Sequence, residues 1–125
     1  AGAVALSIAH DSHNIIVVGV SDEEMEFAVN SLIAQEGGMV LVKEGKVLES
    51  MPMPIAGLMS DQSGEWVDEK LTAIHAKAYE ELGIAGDVEP VMTLCFMSLA
   101  VIPEIKLTDM GLFDVTTFSF IPVEV

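Results

Sequence analysis

Five consecutive side chains that can donate, accept or ligate stand near the start of the chain. This pentad consists of His10, Asp11, Ser12, His13 and Asn14. Two histidines three positions apart, with an aspartate between them, are compatible with a divalent metal, and a histidine oriented by Asp11 would serve as a base. A metal site usually needs three or four ligands, however. The alternative is a turn in which Asp11, Ser12 and Asn14 bond the backbone locally.

The other histidine and the single cysteine, His75 and Cys95, are expected to have structural roles. His75 is expected on a helix beside an apolar stripe, as a partly exposed histidine. Cys95 has apolar neighbours, which is typical of a small buried side chain. Because it is the only cysteine, a disulfide within one chain and a multi-cysteine zinc site are excluded. Phosphate-binding glycine motifs, the GxSxG nucleophile motif and HExxH are missing, and so is the PCxxC half of the zinc-deaminase signature. The function classes that depend on these motifs are excluded.

The charge balance also limits the partners. Twenty acidic residues and five lysines, without a single arginine, give a net charge of −15. Nucleic acid is excluded as a partner, because phosphate binding needs clustered cations. The acidic excess is typical of a solvated surface, and a neutral small ligand or a protein partner stays compatible with it.

No membrane segment is predicted, although 51% of the residues are hydrophobic and the mean hydropathy is +0.52. The longest apolar stretch, residues 92–102, is too short to cross a bilayer. The first residues have no basic region ahead of an apolar run, so neither a signal peptide nor a transit peptide is predicted. A cytoplasmic location is expected.

Two short strands are expected to hold the pentad between them. Residues 4–8 and 15–20 are β-branched runs, and the polar cluster separates them as a turn. A helix should begin at Ser21, in a capping box where Ser21 accepts from the Glu24 amide and Glu24 reaches back. Its apolar stripe, at helical spacing, consists of Met25, Val29, Leu32 and Ile33.

The rest of the chain predicts further strands and one more helix. Residues 39–42 and 46–48 form a hairpin across Glu44 and Gly45, and residues 51–59, with two prolines, form an ordered loop. A helix capped by Ser63 runs to Leu82 and Gly83 with a stripe of Trp66 or Val67, Leu71, Ile74 and Ala78. After a linker at 87–90, strands are expected over residues 91–102, 105–107 and 113–120.

These elements predict an α+β fold in one domain, residues 1–125. A mixed β-sheet of about six strands would carry two helices packed on one face. Since a soluble protein seldom leaves a large apolar patch in water, part of the apolar surface is expected to pack against a domain that this chain lacks.

Three segments in order resemble a known family. They are residues 7–15 (SIAHDSHNI), 54–60 (PIAGLMS) and 102–109 (IPEIKLTD). Together they resemble the C-terminal domain of bacterial and archaeal adenine deaminases of the amidohydrolase superfamily, and the resemblance spans nearly the whole chain.

The resemblance implies a larger enzyme that hydrolyses adenine to hypoxanthine and ammonia. A (β/α)-barrel in the same polypeptide would hold a divalent metal, manganese or iron, that activates the attacking water. The barrel and its His-x-His ligand pair are absent from these residues. The isolated domain is therefore expected to bind no metal, to carry no catalytic residue and to be inactive.

The expected role of the domain is to pack on the barrel and complete the mouth of the active site. The pentad and the loop at residues 57–61 would face that mouth, where His10, Asp11, His13, Asn14 and Ser60 would contact adenine or support metal ligands. The alternative is a purely structural cap, which stabilises the barrel or a homo-oligomer interface and touches neither substrate nor metal. A third possibility is an independent small-molecule-binding module, which titration with adenine would test.

Overall fold

The chain folds into seven strands and three helices over residues 1–124, the part that the computed structural model describes. In order they are β1 (Ala3–Leu6), β2 (Ile16–Gly19), α1 (Asp22–Ala34), β3 (Gly38–Lys43), β4 (Lys46–Pro52), α2 (Gly64–Glu80), α3 (Pro90–Cys95), β5 (Ile105–Thr108), β6 (Gly111–Asp114) and β7 (Ser119–Ile121). The predicted α+β class is confirmed.

The strands form two sheets rather than the single mixed sheet that the sequence predicts. Four strands pair in the order β2-β1-β3-β4, and three pair in the order β5-β6-β7. Every pairing within the described residues is antiparallel. Loops without a helix join β1 to β2, β3 to β4, β5 to β6 and β6 to β7, whereas α1 is the crossover between β2 and β3, which flank β1 and run parallel to each other.

The two long helices cover opposite faces of the four-stranded sheet, so the prediction that both lie on one face is wrong. Along the central strand β1, Ala3 and Ala5 point toward α1, whereas Val4 and Leu6 point toward α2 and α3. Side chains alternate between faces along a strand. Because helices cover both faces of the sheet at β1, all four residues of this strand are buried.

Helix α1 begins where the sequence predicts, and of its predicted stripe Leu32 and Met25 pack toward the sheet whereas Ile33 does not. Ser21 caps it by accepting from the Glu24 amide at 3.3 Å. The predicted return bond from Glu24 does not form, because its Oε1 accepts instead from the Glu44 amide at 2.6 Å. Ala28 and Leu32 are buried, while Ile33, predicted in the stripe, is 58% exposed.

The β3–β4 hairpin is confirmed, and β4 extends further than predicted. Glu44 and Gly45 both have positive φ, as a tight two-residue turn requires. Strand β4 continues to Pro52, which pairs with Gly38. A proline is tolerated there because β4 is an edge strand, and its missing N–H would face away from the ladder.

The predicted strand over residues 91–102 is wrong. Residues 90–95 form α3, capped by the Glu89 carboxylate, which accepts from the Met92 amide, with Pro90 in the first helical position. A carboxylate cap followed by proline is a helix-start signal, and the β-prone residues after it hide that signal. Strand 113–120 is also interrupted, because Asp114 accepts from the amides of Thr116 and Thr117 and turns the chain.

Candidate functional site

The pentad lies on the loop between β1 and β2, as predicted, and all five of its side chains are exposed. His13 has a φ of 54°, a left-handed conformation that non-glycine residues seldom adopt. The His13 amide donates to the Ala9 carbonyl at 2.7 Å and so closes the turn. The pentad is therefore an ordered turn that presents its polar side chains outward.

The end of α3 and the turn after it support the pentad loop from the other side. The His10 amide donates to the Cys95 carbonyl at 2.8 Å, and the Ser98 hydroxyl donates to the His10 carbonyl at 3.0 Å. The His10 ring stacks on Phe96 with centroids 5.1 Å apart and planes 11° from parallel. Sequence reasoning missed all three supporting residues, because it placed a strand there.

The remaining pentad side chains are available to a ligand. Among residues 1–124, no hydrogen bond involves the side chain of Asp11, Ser12 or Asn14. The alternative turn, in which these three side chains bond the backbone locally, is therefore not what the structure contains.

Ser60, the fifth predicted site residue, lies on a second loop and is used locally. Residues 55 and 59 pair through two backbone hydrogen bonds of 3.2 and 3.1 Å, with positive φ at Ala56 and Gly57 between them. Ser60 follows this turn, half-buried, and its hydroxyl accepts from the Gln62 amide at 3.1 Å. Ser60 thus helps to lead the chain into α2.

Ser7 fastens the two loops to the same end of the four-stranded sheet. Its hydroxyl donates to the Gly57 carbonyl at 2.6 Å and accepts from the Gly38 amide at 2.8 Å. Gly37 is in direct backbone contact with Gly57, because a Cβ on Gly37 would lie 2.6 Å from the Gly57 Cα. Ser7 immediately follows β1 and precedes the pentad, so both predicted loops lie at one end. Neither Ser7 nor Gly37 was predicted as a site residue.

A cleft of about 390 Å³ opens beside the pentad. Ser12 and Asn14 line it from the pentad, Ser98 from the turn after α3, and Thr108 and Asp109 from the end of β5. The cleft brings residues 102–109, the third family-like segment, against the first. Its volume lies in the range of small-ligand pockets. Thr108 and Asp109 were not predicted as site residues. They belong to the family-like segment 102–109, and this membership is the sequence signal that points to them.

The divalent metal implied for the whole enzyme does not fit the residues of this domain. Within residues 1–124 no three His, Cys, Asp or Glu side chains are grouped so that they would hold a metal. The rings of His10 and His13 lie 5.7 Å apart and are tilted by 59°. Burial raises the pKa of the Cys95 thiol, which donates to the Ile8 carbonyl at 2.7 Å and is fully covered. The described side chains therefore do not form a metal site by themselves.

The fold and the loops define a small α+β domain that presents two polar loops at one end of a sheet. A family model described as adenine deaminase C-terminal domain matches residues 1–119. The chain therefore belongs to the adenine deaminase C-terminal domain family, and the resemblance seen in the sequence is confirmed.

Several similar proteins are named adenine deaminase and have longer chains than this one. The chain is 76% identical over 123 residues to adenine deaminase 2 of Desulfotalea psychrophila and 55% identical over 124 residues to adenine deaminase of Halalkalibacterium halodurans. It is 49% identical over 123 residues to adenine deaminase of Bacillus subtilis. These matches cover 98 to 99% of this chain but 21% of each relative. The chain thus spans about a fifth of the length of the relatives it matches.

Proposed function

We propose that this domain is the C-terminal part of an adenine deaminase, whose whole polypeptide hydrolyses adenine to hypoxanthine and ammonia. The domain packs on the amidohydrolase barrel of the same polypeptide, with the pentad and the loop at residues 57–61 at the mouth of the active site. The observation that carries this proposal is the Ser7 hydroxyl, which bonds both Gly38 and Gly57 and so holds the two loops at one end of the sheet.

The surroundings of the loops support a docking role. Ile15, Ile55 and Met59 flank them and are 43%, 46% and 57% exposed. Apolar side chains beside unbonded polar ones are typical of surfaces that another part of a protein covers. The Asn14 amide, which both donates and accepts, suits the edge of a neutral purine that presents ring nitrogens and an amino group.

Alanine at His10 and His13 together, in the full-length enzyme, tests the proposal. We expect kcat/KM for adenine to fall by about tenfold or more, the loss that a missing substrate hydrogen bond produces. Lys46→Ala is the matched control, because Lys46 is exposed in the hairpin turn at the other end of the sheet. An unchanged kcat/KM in the double variant, with native circular dichroism, would remove the loop from the site.

A structural or oligomerisation cap is the second candidate, and the second sheet favours it. Leu107, Phe118 and Phe120 are 51%, 74% and 57% exposed there. Deleting the domain from the full-length enzyme discriminates the two. A cap would cost stability or assembly in sedimentation and thermal melts, whereas a contributor to the site would cost turnover in molecules that remain folded and assembled.

The isolated domain is expected to be inactive, because it holds no ligand set for a metal within residues 1–124. Supplied with manganese or iron, it should convert no adenine to hypoxanthine, and calorimetry should detect weak adenine binding or none. A cytoplasmic location stays a prediction. Within the described residues, no helix has the length and apolar character that crossing a membrane requires.

A further inference from the structure

We infer that His75 is a positioning residue for the pentad, acting through α3. The ring of His75 ties α2 to the beginning of α3, and the other end of α3 holds the His10 backbone. The meaning of this linkage for adenine turnover rests on the proposed function, while the linkage itself is a property of the fold.

His75 makes a bond with each ring nitrogen. Nδ1 donates to the Leu71 carbonyl, one helical turn earlier, at 2.7 Å, and Nε2 donates to Glu89 Oε1. Both partners are acceptors, and only the protonated ring has two N–H donors. Both hydrogen bonds of the His75 ring, to the Leu71 carbonyl and to Glu89, therefore form together only when His75 is charged.

Glu89 performs two tasks at this junction. Its Oε1 receives His75, and its Oε2 caps α3 by accepting from the Met92 amide. Helix α3 has six residues, and so short a helix is marginal without its cap and its tertiary contacts. Fixing the Glu89 carboxylate therefore fixes the start of α3.

The far end of α3 carries the contacts that order the pentad. The Cys95 carbonyl accepts from the His10 amide, and the Cys95 thiol donates to the Ile8 carbonyl. Phe96 stacks on His10, and Ser98 bonds the His10 carbonyl. A shift of α3 would therefore move the backbone on both sides of Ala9.

The charges around His75 favour its protonated state. Burial acts to lower the pKa of His75, but the bonds to Glu89 and the Leu71 carbonyl, together with the Glu89 charge, outweigh it, and the pKa lies above its ordinary value of 6.5.

The other charged groups of α2 are two lysines and the acids Glu65, Asp68, Glu69 and Glu80, and none of these acids forms an ion pair among residues 1–124. On α2, Lys70 and Lys77 pair with Glu49 of β4. The Tyr79 hydroxyl donates to the Val88 carbonyl, and the Cys95 thiol of α3 donates to the Ile8 carbonyl. Glu89 is thus the charged partner of His75 among the described residues.

The sign of the pH effect follows from the raised pKa. A histidine whose pKa is higher in the folded state stabilises the junction fully below its unfolded value, and the contribution is lost as pH rises through the folded value. The pentad should therefore loosen as pH rises through the raised pKa of His75.

Hydrogen exchange of the full-length enzyme, measured by mass spectrometry on peptides covering residues 8–14, tests the linkage. His10 and His13 are themselves ionisable, so the quantity is the difference between wild type and His75→Gln after correction for intrinsic exchange. We expect wild type to be protected by about threefold to tenfold over His75→Gln at mildly acidic pH, with the difference vanishing as pH rises.

Two variants guard the interpretation. Glu89→Gln keeps one acceptor oxygen, enough for the α3 cap, but removes the charge and the second acceptor, so it should lose the pH-dependent part of the protection. Tyr79→Phe is the matched control, because it removes a bond at the same junction without touching His75 or the cap. It should keep the wild-type dependence.

Equal pentad exchange in wild type and His75→Gln at every pH would overturn the inference. It would also fail if Tyr79→Phe abolished the dependence as completely as His75→Gln. Parallel kcat/KM measurements separate this inference from the proposed function. Altered exchange with unchanged kcat/KM supports the linkage and refutes a role of the pentad in turnover, whereas reduced kcat/KM with unchanged exchange refutes the linkage alone.

Discussion

The Ser7 hydroxyl joins three parts of the chain that are far apart in sequence. It bonds Gly38 at the start of β3 and Gly57 in the second loop, 31 and 50 positions away. Gly38 is buried, so its amide has no water to replace Ser7. One small side chain therefore determines where the second loop lies relative to the pentad.

Replacing Ser7 by alanine should destabilise the domain by about 1 to 3 kcal/mol, the cost of leaving a buried donor unsatisfied. Urea unfolding followed by circular dichroism measures this. Ser31→Ala is the matched control, because the Ser31 hydroxyl donates to the Phe27 carbonyl within α1. Its loss should cost about 0.5 kcal/mol or less. Equal costs for the two variants would contradict the role given to Ser7.

At the residue scale the sequence predicts where the candidate side chains lie better than it predicts the residues that support them. His10, Asp11, His13 and Asn14 stand out by type and proximity, and they are exposed on one loop. Their supports Cys95 and Ser98 lie 87 and 88 positions from their partners. No local pattern reports a contact over such a separation, which only the folded chain creates.

Among the elements, α1 shows how tertiary contacts decide which face of a helix is buried. The face that meets the sheet carries Ala28 and Leu32 and packs on Ala3 and Ala5 of β1. Small residues on both surfaces let the helix approach the sheet closely. Helical spacing alone allows Ile33 in the stripe, yet the sheet accepts the neighbouring face.

The adjacent pair Leu32 and Ile33 tests this orientation. Leu32 is fully buried, so Leu32→Ala should cost about 2 to 5 kcal/mol through lost burial and a cavity. Ile33 is 58% exposed, and Ile33→Ala should change stability by about 0.5 kcal/mol or less. Thermal or chemical unfolding of the two variants decides it. Similar losses would mean that α1 is rotated relative to the described structure.

Element types were predictable wherever local signals agreed with the fold. Ser21 and Ser63 cap the two long helices as their positions predict, and Gly45 closes the hairpin. The strand prediction for residues 90–95 is wrong because it follows the β-prone side chains Val91 and Thr93 and overlooks the helix start formed by Glu89 and Pro90. The burial of Val91 and Leu94 against the sheet favours the helix.

For the molecule as a whole, the positive charges are few and mostly engaged. Lys43, Lys70 and Lys77 bridge to Glu81 or Glu49, and Lys106 is buried, where its ammonium donates to two carbonyls. The net charge of −15 is thus opposed at the surface by little free positive charge. Mutual repulsion of the carboxylates works against the folded state.

Added salt should therefore stabilise the domain at neutral pH. Raising sodium chloride from about 0.02 to about 0.5 M shortens the screening length several-fold, and Tm should rise by a few degrees. Lys46→Glu, which reverses the charge of an exposed lysine, should steepen the rise. Differential scanning calorimetry gives both slopes. A Tm that is independent of salt in both proteins would show that repulsion among the carboxylates is negligible.

The partners of the pentad also set the order in which the domain is completed during synthesis. Strands β1 to β4 and α1 all lie within the first 52 residues, so the larger sheet has its strands before α3 leaves the ribosome. Until Cys95 and Ser98 emerge, the loop after β1 has neither of these anchors. A translational pause at residues 81–89 would thus leave the loop after β1 without the Cys95 and Ser98 contacts.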